Sequence, residues 1–184
     1  MLNYSILLKK ISKFENIDVI RDVINSVNDN QIKNKLWLME KLKPYLDMYT
    51  NPKIVVAAGW HGLTAHLIDL NVVSFDKDPT CQSVHLFPNV IYKTEDIETF
   101  DPYKFDIIIC TACEHISDEV INEFLSRKSP TSTAVLQSNN YYYIKDHINC
   151  KGNCDEFAEK INLRILEQHT LEFEKYDRFM LIGV

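Results

Sequence analysis

The stretch "IVVAAGWHGLTAHLI", residues 54–68, decides the fold prediction: an apolar run ends at one glycine and an amphipathic run starts at the next. The β-branched residues at its start favour a buried strand, and the apolar spacing after Gly62 favours a short helix. The chain has only four glycines, and two of them, Gly59 and Gly62, lie in this turn. Because glycine lets backbone approach another group closely, the turn is a candidate binding loop as well as a tight connection.

Apolar runs recur along the rest of the chain, with helical segments between most of them. The runs are 53–58, 71–76, 89–93, 105–110, 133–138, 162–174 and 178–184. The helical segments are 62–69, 79–86, 117–127 and 153–161. Continuous apolar runs are typical of strands buried on both faces, and their alternation with helices predicts parallel pairing. The sequence therefore predicts an α/β fold with a doubly wound, mostly parallel sheet.

The N-terminal part of the chain has a different pattern. Apolar residues in 15–49 recur three or four positions apart, which predicts helices, with a kink or interruption at Pro44. The pair Asn51-Pro52 marks the boundary with the first strand. We predict a helical cap over 1–50 and a nucleotide-binding sheet region over 51–184, packed together as one compact domain.

Composition excludes some classes of function and disfavours others. The chain has 184 residues, of which 46% are hydrophobic and 25% charged, as is usual for globular proteins. No apolar stretch approaches the roughly 20 residues of a membrane helix. Lys9 and Lys10 follow the N-terminal apolar patch, the wrong order for a secretory signal, so we expect a cytoplasmic protein without a membrane partner. The net charge of −6 and the scattered lysines argue against nucleic acid as main partner.

Five cysteines are present, and an odd number without a secretory signal argues against a disulfide framework. Cys110-x-x-Cys113 and the pair Cys150 and Cys154 would form a zinc site if His147 or His115 joined them. The alternative is that Cys110, at the end of an apolar run, is a buried core thiol. The main prediction assigns no metal ligand.

Polar residues follow the predicted strands at the positions where doubly wound sheets bind ligands. Asp76 ends the second strand, where a carboxylate accepts both hydroxyls of a ribose. Asp96, after the third strand, would accept from an exocyclic amine, and Ile97 would pack on a flat ring. Glu114 and His115 follow the fourth. Asp76 and Asp96 also suit turns and His115 a helix cap, but together these residues indicate a site.

The stretch from 53 to about 138 resembles the class I S-adenosylmethionine-dependent methyltransferases. In that family a glycine-rich loop follows the first strand, an acid ending the second holds the ribose, and an acid after the third meets the adenine amine. "KFDIIICTACEHISDE" (104–119) is similar to the fourth-strand motif of the small-molecule methyltransferases, and "EFEKYDRFMLIGV" (172–184) resembles the final antiparallel strands. The resemblance implies a seven-stranded sheet with an antiparallel last strand, and S-adenosylmethionine as cofactor.

The resemblance also assigns the cofactor contacts, although the first loop departs from the family pattern. The implied cofactor-binding residues are Gly59, Trp60, Gly62, Asp76, Lys77, Asp96, Ile97 and Thr111. Ala57 stands where the family has an acid, and Gly59-Trp60-His61-Gly62 replaces the usual Gly-x-Gly. The large side chains of Trp60 and His61 are expected to point into the substrate pocket.

The segment "LQSNNYYYIKDHINCKGNCDEF" (136–157) follows the fifth strand and is unusually polar. Amide and tyrosine side chains there would orient an acceptor substrate, and a histidine would accept its proton near neutral pH. The alternative is a surface loop with partly packed tyrosines. The expected catalytic residues are His115, Asn139 and His147. The expected substrate contacts are His61, Glu114, Asn140, Tyr142 and Trp37, with Lys35 beside Trp37 at the pocket entrance, although Trp37 would also suit the core.

We therefore expect a methyltransferase acting on a small molecule. One alternative keeps the cofactor and changes the chemistry, to cleavage or aminocarboxypropyl transfer. Another is a cofactor-binding module without catalysis, and nucleic-acid methylation is disfavoured by the charge. The acceptor and the oligomeric state are not predicted.

Overall fold

The computed structural model describes residues 4–184, with side chains from residue 7 onward, so the first three residues of the predicted cap lie outside the described residues. Three helices precede the sheet: α1 (Tyr4–Ile11), α2 (Ile17–Ser26) and α3 (Asp29–Leu46). The side chains of Asn16 and Asn28 accept backbone N–H groups at the starts of α2 and α3. The predicted interruption at Pro44 is wrong: α3 continues through it, because a proline in the last turn removes only one main-chain hydrogen bond.

The seven predicted strands are all present. They are β1 (Ile54–Ala57), β2 (Val72–Asp76), β3 (Val90–Thr94), β4 (Ile107–Cys110), β5 (Thr133–Asn139), β6 (Ile165–Glu172) and β7 (Asp177–Gly183). The strands lie in the order β3-β2-β1-β4-β5-β7-β6. β1 to β5 are paired in parallel, whereas β7 is antiparallel to both of its neighbours. The predicted doubly wound, mostly parallel sheet with an antiparallel last strand is confirmed.

Short helices connect the strands close to the predicted positions. They are α4 (Leu63–Ile68), α5 (Pro79–Val84), α6 (Asp118–Ser126) and α7 (Cys154–Lys160), and a 3₁₀ turn (Cys113–His115) precedes α6. Ser117 caps α6 with its hydroxyl, which leaves His115 free of the capping role that the sequence allowed.

Alternate residues of the central strands pack into two cores on opposite faces of the sheet. Ile54 and Val56 face one core, which α3 completes with the fully buried side chains of Leu38 and Leu42. Val55 faces the other, together with side chains from α6 and α7. The N-terminal helices therefore share a core with the sheet.

The sheet topology determines the edge at which a ligand site is expected. β1 to β5 are parallel, so their carboxyl ends lie at one edge, and the chain changes direction along the sheet between β1 and β4. None of the helices in residues 4–184 is long and apolar enough to cross a membrane.

Candidate active site

A cleft of about 1300 Å³ opens at the carboxyl ends of the parallel strands. The predicted site residues that line it are Trp60, Asp76, Lys77, Asp96, Ile97, Glu114, His115, Asn139 and His147. A smaller pocket of about 90 Å³ is lined by several of the remaining predicted residues, namely Gly59, His61 and Thr111, and by Lys35 and Arg178. Glu114, His115 and Arg178 line both spaces, so the small pocket and the cleft share part of their walls.

The two glycines of the first loop are required by packing inside the protein. A Cβ on Gly59 would lie 2.1 Å from the hydroxyl of Ser74 on β2. Gly62 has φ of 81°, and a Cβ there would lie 2.6 Å from the hydroxyl of Tyr92 on β3. Gly59 still lines the smaller pocket, whereas Gly62 lines neither space. A cofactor contact by either glycine stays a prediction.

The first loop is held against α2 and β2. Ala58 and Trp60 have φ of 46° and 50°, a conformation that costs free energy in residues other than glycine. The backbone N–H of Trp60 donates to Asp76 (2.9 Å), and its indole N–H donates to Asp22 of α2 (2.9 Å). Hydrogen bonds to β2 and to α2 therefore hold this strained conformation in place.

His61 does not have the environment that its predicted role requires. Its ring is buried, and its Nε2 lies 2.7 Å from the same oxygen of Asp22 that accepts from Trp60. Because this nitrogen is paired with Asp22, the ring links the first loop to α2. A substrate contact by His61 therefore stays a prediction that this geometry does not favour.

Asp76 stands on the cleft wall, at the position where the sequence predicts a ribose-binding acid. It ends β2, and its two carboxylate oxygens accept from the backbone N–H groups of Trp60 (2.9 Å) and Asp78 (3.1 Å). Each oxygen keeps a further acceptor position, since a carboxylate has about four. The neighbouring Lys77 lies on the cleft wall.

Asp96 takes part in a turn and lies on the cleft wall, while its contact with an exocyclic amine stays a prediction. Its Oδ1 accepts from the backbone N–H of Glu98 (3.0 Å), as in a turn, and the residue also lines the cleft. Ile97 packs partly against the second core, and its carbonyl accepts from Arg127 (2.7 Å). The backbone at this wall of the cleft is thus held both by the turn at Asp96 and by the hydrogen bond from Arg127.

Three charged side chains meet beneath the cleft, at the smaller pocket. Glu114 is only 3% exposed, and its Oε1 accepts from Arg178 of β7 at 2.8 Å. Arg178 also donates to the carbonyl of Thr111. Lys35 of α3 is 7% exposed, and burial, with the nearby Arg178, lowers its pKa to about 7. The pocket therefore holds two basic groups and one carboxylate.

Arg178 was not predicted from the sequence, and Lys35 was predicted only to lie at the pocket entrance. A signal was present for each of them. Arg178 begins the apolar run "RFMLIGV", and Lys35 lies three and seven positions before Leu38 and Leu42 on the buried face of α3. A basic residue in a core position usually has a special environment.

His115 and His147 face each other across the cleft wall, with ring centroids 4.6 Å apart and ring planes at 88°. Nδ1 of His115 lies 3.0 Å from the carbonyl of Asp146, and Nδ1 of His147 lies 2.8 Å from the carbonyl of Tyr141. A carbonyl only accepts, so in the neutral form of each ring Nδ1 carries the proton and Nε2 has the lone pair. Burial lowers the pKa of His147, which favours its neutral form.

The segment that carries His147 is bonded to α6 and to the 3₁₀ turn before it. Lys151 is buried and forms an ion pair with Asp118 (2.7 Å). The side chain of Asn149 also donates to Asp118 (2.9 Å), and its backbone N–H donates to the carbonyl of Glu114 (2.9 Å). This part of the polar segment is therefore more ordered than the surface loop that the sequence allowed.

The remaining predicted residues have other surroundings. Asn140 exchanges hydrogen bonds with Asp177 at the start of β7. Tyr142 is 60% exposed, and Trp37 packs against the first core, so neither lines the cleft. Asn139 does line it, with its side-chain oxygen accepting from the N–H of Tyr141 (2.8 Å).

The zinc site built from the cysteine pairs is wrong. All five cysteines are free, and Cys110 and Cys113 are buried in the second core. Within residues 4–184, the group of three possible metal ligands with mutually close ligand atoms consists of Glu114, His115 and His147 and contains no cysteine.

Comparison with known proteins identifies the fold. No family model matches the sequence, and no curated protein matches it. Among solved structures, a variant of MtNAS in complex with S-adenosylmethionine is 12% identical, with a TM-score of 0.62 over 97% of this chain and 72% of that one. Magnesium protoporphyrin IX methyltransferase (ChlM) from Synechocystis PCC 6803, with bound SAM, is 13% identical, with a TM-score of 0.61 over 97% and 89%.

A third structure agrees with these two. The N-methyltransferase NodS from Bradyrhizobium japonicum WM9 is 13% identical, with a TM-score of 0.63 over 86% of this chain and 97% of that one. These similarities, with the strand order and the antiparallel β7, show that the chain has the fold of the class I S-adenosylmethionine-dependent methyltransferases.

Proposed function

We propose that the protein transfers a methyl group from S-adenosylmethionine to a small-molecule acceptor. The observation that carries this proposal is that Asp76, Asp96 and Ile97 line one cleft, at the carboxyl ends of the neighbouring strands β2 and β3. Asp76 would hold the ribose hydroxyls, and Asp96 with Ile97 would hold the adenine. Structures of the same fold contain S-adenosylmethionine or its demethylated product, which supports this assignment.

The smaller pocket suits the carboxylate at the methionine end of the cofactor. Lys35 and Arg178 bring two basic groups to this pocket, and Glu114 pairs with only one of them. An entering carboxylate would stabilise the protonated form of Lys35 and thereby raise its pKa above 7. Lys35 would thus bind the carboxylate, whereas Ala57 leaves the first loop without the acid that would contact the amino group at the same end of the cofactor.

The charge of the cleft supports a cationic cofactor and a small acceptor. Carboxylates outnumber basic groups among its lining residues, where the basic side chains are Lys77, Lys145 and Arg178. A sulfonium ion is attracted by this field, whereas the phosphates of a nucleic acid are repelled. The acceptor is therefore proposed to be neutral or positively charged.

The acceptor would bind near the histidine pair. Tyr141 and Tyr176, with ring centroids 5.1 Å apart, line the cleft beside His147 and offer flat apolar surface. The cofactor supplies an electrophilic methyl group, and alignment of the acceptor contributes much of the rate. Asn139 would align the acceptor, and a free Nε2 of His115 or His147 would accept its proton where it has one to lose.

Calorimetric titration with S-adenosylmethionine and S-adenosylhomocysteine tests the cofactor assignment. We expect the wild type to bind both ligands, and Asp76→Ala to bind at least about tenfold more weakly, which corresponds to about 1.4 kcal/mol. Asp155→Ala, on the exposed face of α7, is the matched control and is expected to bind like the wild type. Failure of the wild type to bind either ligand would overturn the proposal.

A second candidate function uses the same cofactor for transfer of its aminocarboxypropyl group. The altered first loop, with Ala57 and the strained Trp60, favours it because this loop faces the pocket for that end of the cofactor. One structure of the fold is MtNAS in complex with MTA and tNA. Mass spectrometry of the products separates the two: S-adenosylhomocysteine indicates methyl transfer, and methylthioadenosine indicates the alternative. Binding without turnover would indicate a module without catalysis.

A further inference from the structure

Glu114, His115 and His147 each bring a ligand atom to one point of the cleft wall, and these atoms lie within 4.8 Å of one another. Two of the residues belong to the 3₁₀ turn after β4, and the third belongs to the segment after β5. We propose that these three side chains form a binding site for a divalent cation of the first transition row. The site goes beyond methyl transfer, and cation binding does not depend on the proposed cofactor.

The carboxylate of Glu114 has one oxygen that the protein leaves without a partner. Oε1 accepts from Arg178, whereas Oε2 is buried and has no hydrogen bond within the described residues. A buried carboxylate oxygen without a partner is costly, since it has lost its water and gained nothing in return. A cation on Oε2 would remove that cost. The bond from Arg178 would at the same time fix the orientation of the carboxylate, as outer-shell partners of metal ligands do.

The histidines make hydrogen bonds of the kind that metal-bound histidines make. In each ring Nδ1–H donates to a backbone carbonyl, that of Asp146 for His115 and that of Tyr141 for His147. This arrangement leaves Nε2 with its lone pair and holds the ring plane, which is the usual outer-shell arrangement around metal-bound histidine. The two rings are perpendicular and 4.6 Å apart, so both can approach one ion without stacking.

The three ligand atoms would need to move only slightly closer together to share one ion. Ligand atoms that share one ion at about 2.1 Å lie about 3 to 3.5 Å apart. The three ligand atoms here lie within 4.8 Å. His115 is exposed and His147 is half-buried, so small movements of these two side chains would bring Nε2 of each ring and Oε2 of Glu114 to one ion while the Nδ1 hydrogen bonds are kept.

The donor set selects the class of ion. Two imidazoles and one carboxylate suit Zn²⁺, Fe²⁺, Co²⁺ and Ni²⁺, whereas Mg²⁺ prefers oxygen ligands alone. Three protein ligands leave at least one coordination position open to the cleft. An amine or hydroxyl bound there would lose its proton more readily, and the histidines would then act as ligands rather than as bases.

Cobalt titration of the metal-free protein tests the site, because Co²⁺ gives a visible spectrum that depends on its ligands. We expect one Co²⁺ per chain, displaced by Zn²⁺ and not by Mg²⁺. His115→Ala and His147→Ala are each expected to weaken binding at least about tenfold, as loss of a direct ligand should. His85→Asn is the matched control, since His85 is exposed, lies outside the cleft, and has a positive φ that asparagine tolerates.

Several results would overturn the cation site. One is unchanged Co²⁺ affinity in both histidine variants, and another is displacement by Mg²⁺ as effective as by Zn²⁺. A sulfur-to-cobalt charge-transfer band lost in Cys150→Ser would also do so, because the thiol of Cys150 lies 3.8 Å from Nδ1 of His147 and would replace the carboxylate. Titration of the metal-free protein with S-adenosylmethionine in parallel separates failure of this site from failure of the proposed function.

Discussion

Replacing Lys35 with methionine should make the protein more stable and the cofactor affinity lower. Lys35 is buried between α3 and the sheet, where Arg178 of β7 lowers its pKa and Glu114 and Cys110 raise it. Burial dominates, and the pKa falls from 10.5 to about 7. The folded protein therefore binds this proton much more weakly than the unfolded chain does.

The magnitude follows from linkage between proton binding and folding. Between about pH 7 and pH 10.5 the unfolded chain carries the proton and the folded protein does not, so the stability of the wild type rises with pH across this window. At pH 7 the buried amine costs about 4 kcal/mol, and the cost falls by about 1.4 kcal/mol per pH unit once the folded protein has lost the proton. At pH 7 about half of the folded protein still carries it, so the advantage of Lys35→Met over the wild type should shrink by about 2 kcal/mol between pH 7 and pH 9.

Urea denaturation of the cofactor-free wild type, Lys35→Met and the control Lys43→Met at these two pH values measures the effect. Lys43 is exposed on the same helix and forms an ion pair with Asp47. Calorimetry should show at least about tenfold weaker S-adenosylmethionine binding by Lys35→Met, equivalent to about 1.4 kcal/mol. The control Lys43→Met should bind like the wild type. A stability difference that is the same at both pH values would refute the burial argument, and unchanged affinity would refute the carboxylate contact.

Three further predictions concern the loop and the acceptor end. Asp22→Ala should destabilise the protein by about 1 to 3 kcal/mol in urea denaturation, because it leaves the indole of Trp60 and a buried imidazole without their acceptor. Gly62→Ala should cost about 2 kcal/mol or more in the same assay, because its φ is positive and its Cβ would contact Tyr92; equal stability would contradict this packing. Asn139→Ala should lower turnover at least about tenfold with little change in cofactor affinity, and unchanged turnover would exclude the aligning role.

The fold was predictable because it depends on local pattern. The continuous apolar runs of β1, β4 and β5 are buried on both faces of the sheet, whereas the edge strands β3 and β6 alternate between more and less buried residues. The polar residues that end these runs, Asp76, Asp96 and Glu114, had to meet at one edge once the strands were parallel. Their shared position in the cleft therefore follows from topology alone.

The contacts of individual side chains were not predictable, because they join residues far apart in sequence. The pairing of His61 with Asp22 and of Arg178 with Glu114 spans 39 and 64 positions. No local pattern indicates which of several basic or acidic residues will be partners across such distances. The glycines show the same limit: their position in a turn was evident, but their contacts with Ser74 and Tyr92 depend on neighbouring strands.

The hydrogen bonds around Trp60 connect the helical cap to the proposed cofactor site. Asp22 of α2 accepts from the indole, and Asp76 accepts from the backbone N–H of the same residue. Since Trp60 has a positive φ, both bonds are needed to hold a conformation that is otherwise unfavourable. A ligand hydroxyl on Asp76 would act on the same carboxylate that holds the loop. Cofactor binding at Asp76 would thus be coupled to the docking of α2 through one strained residue.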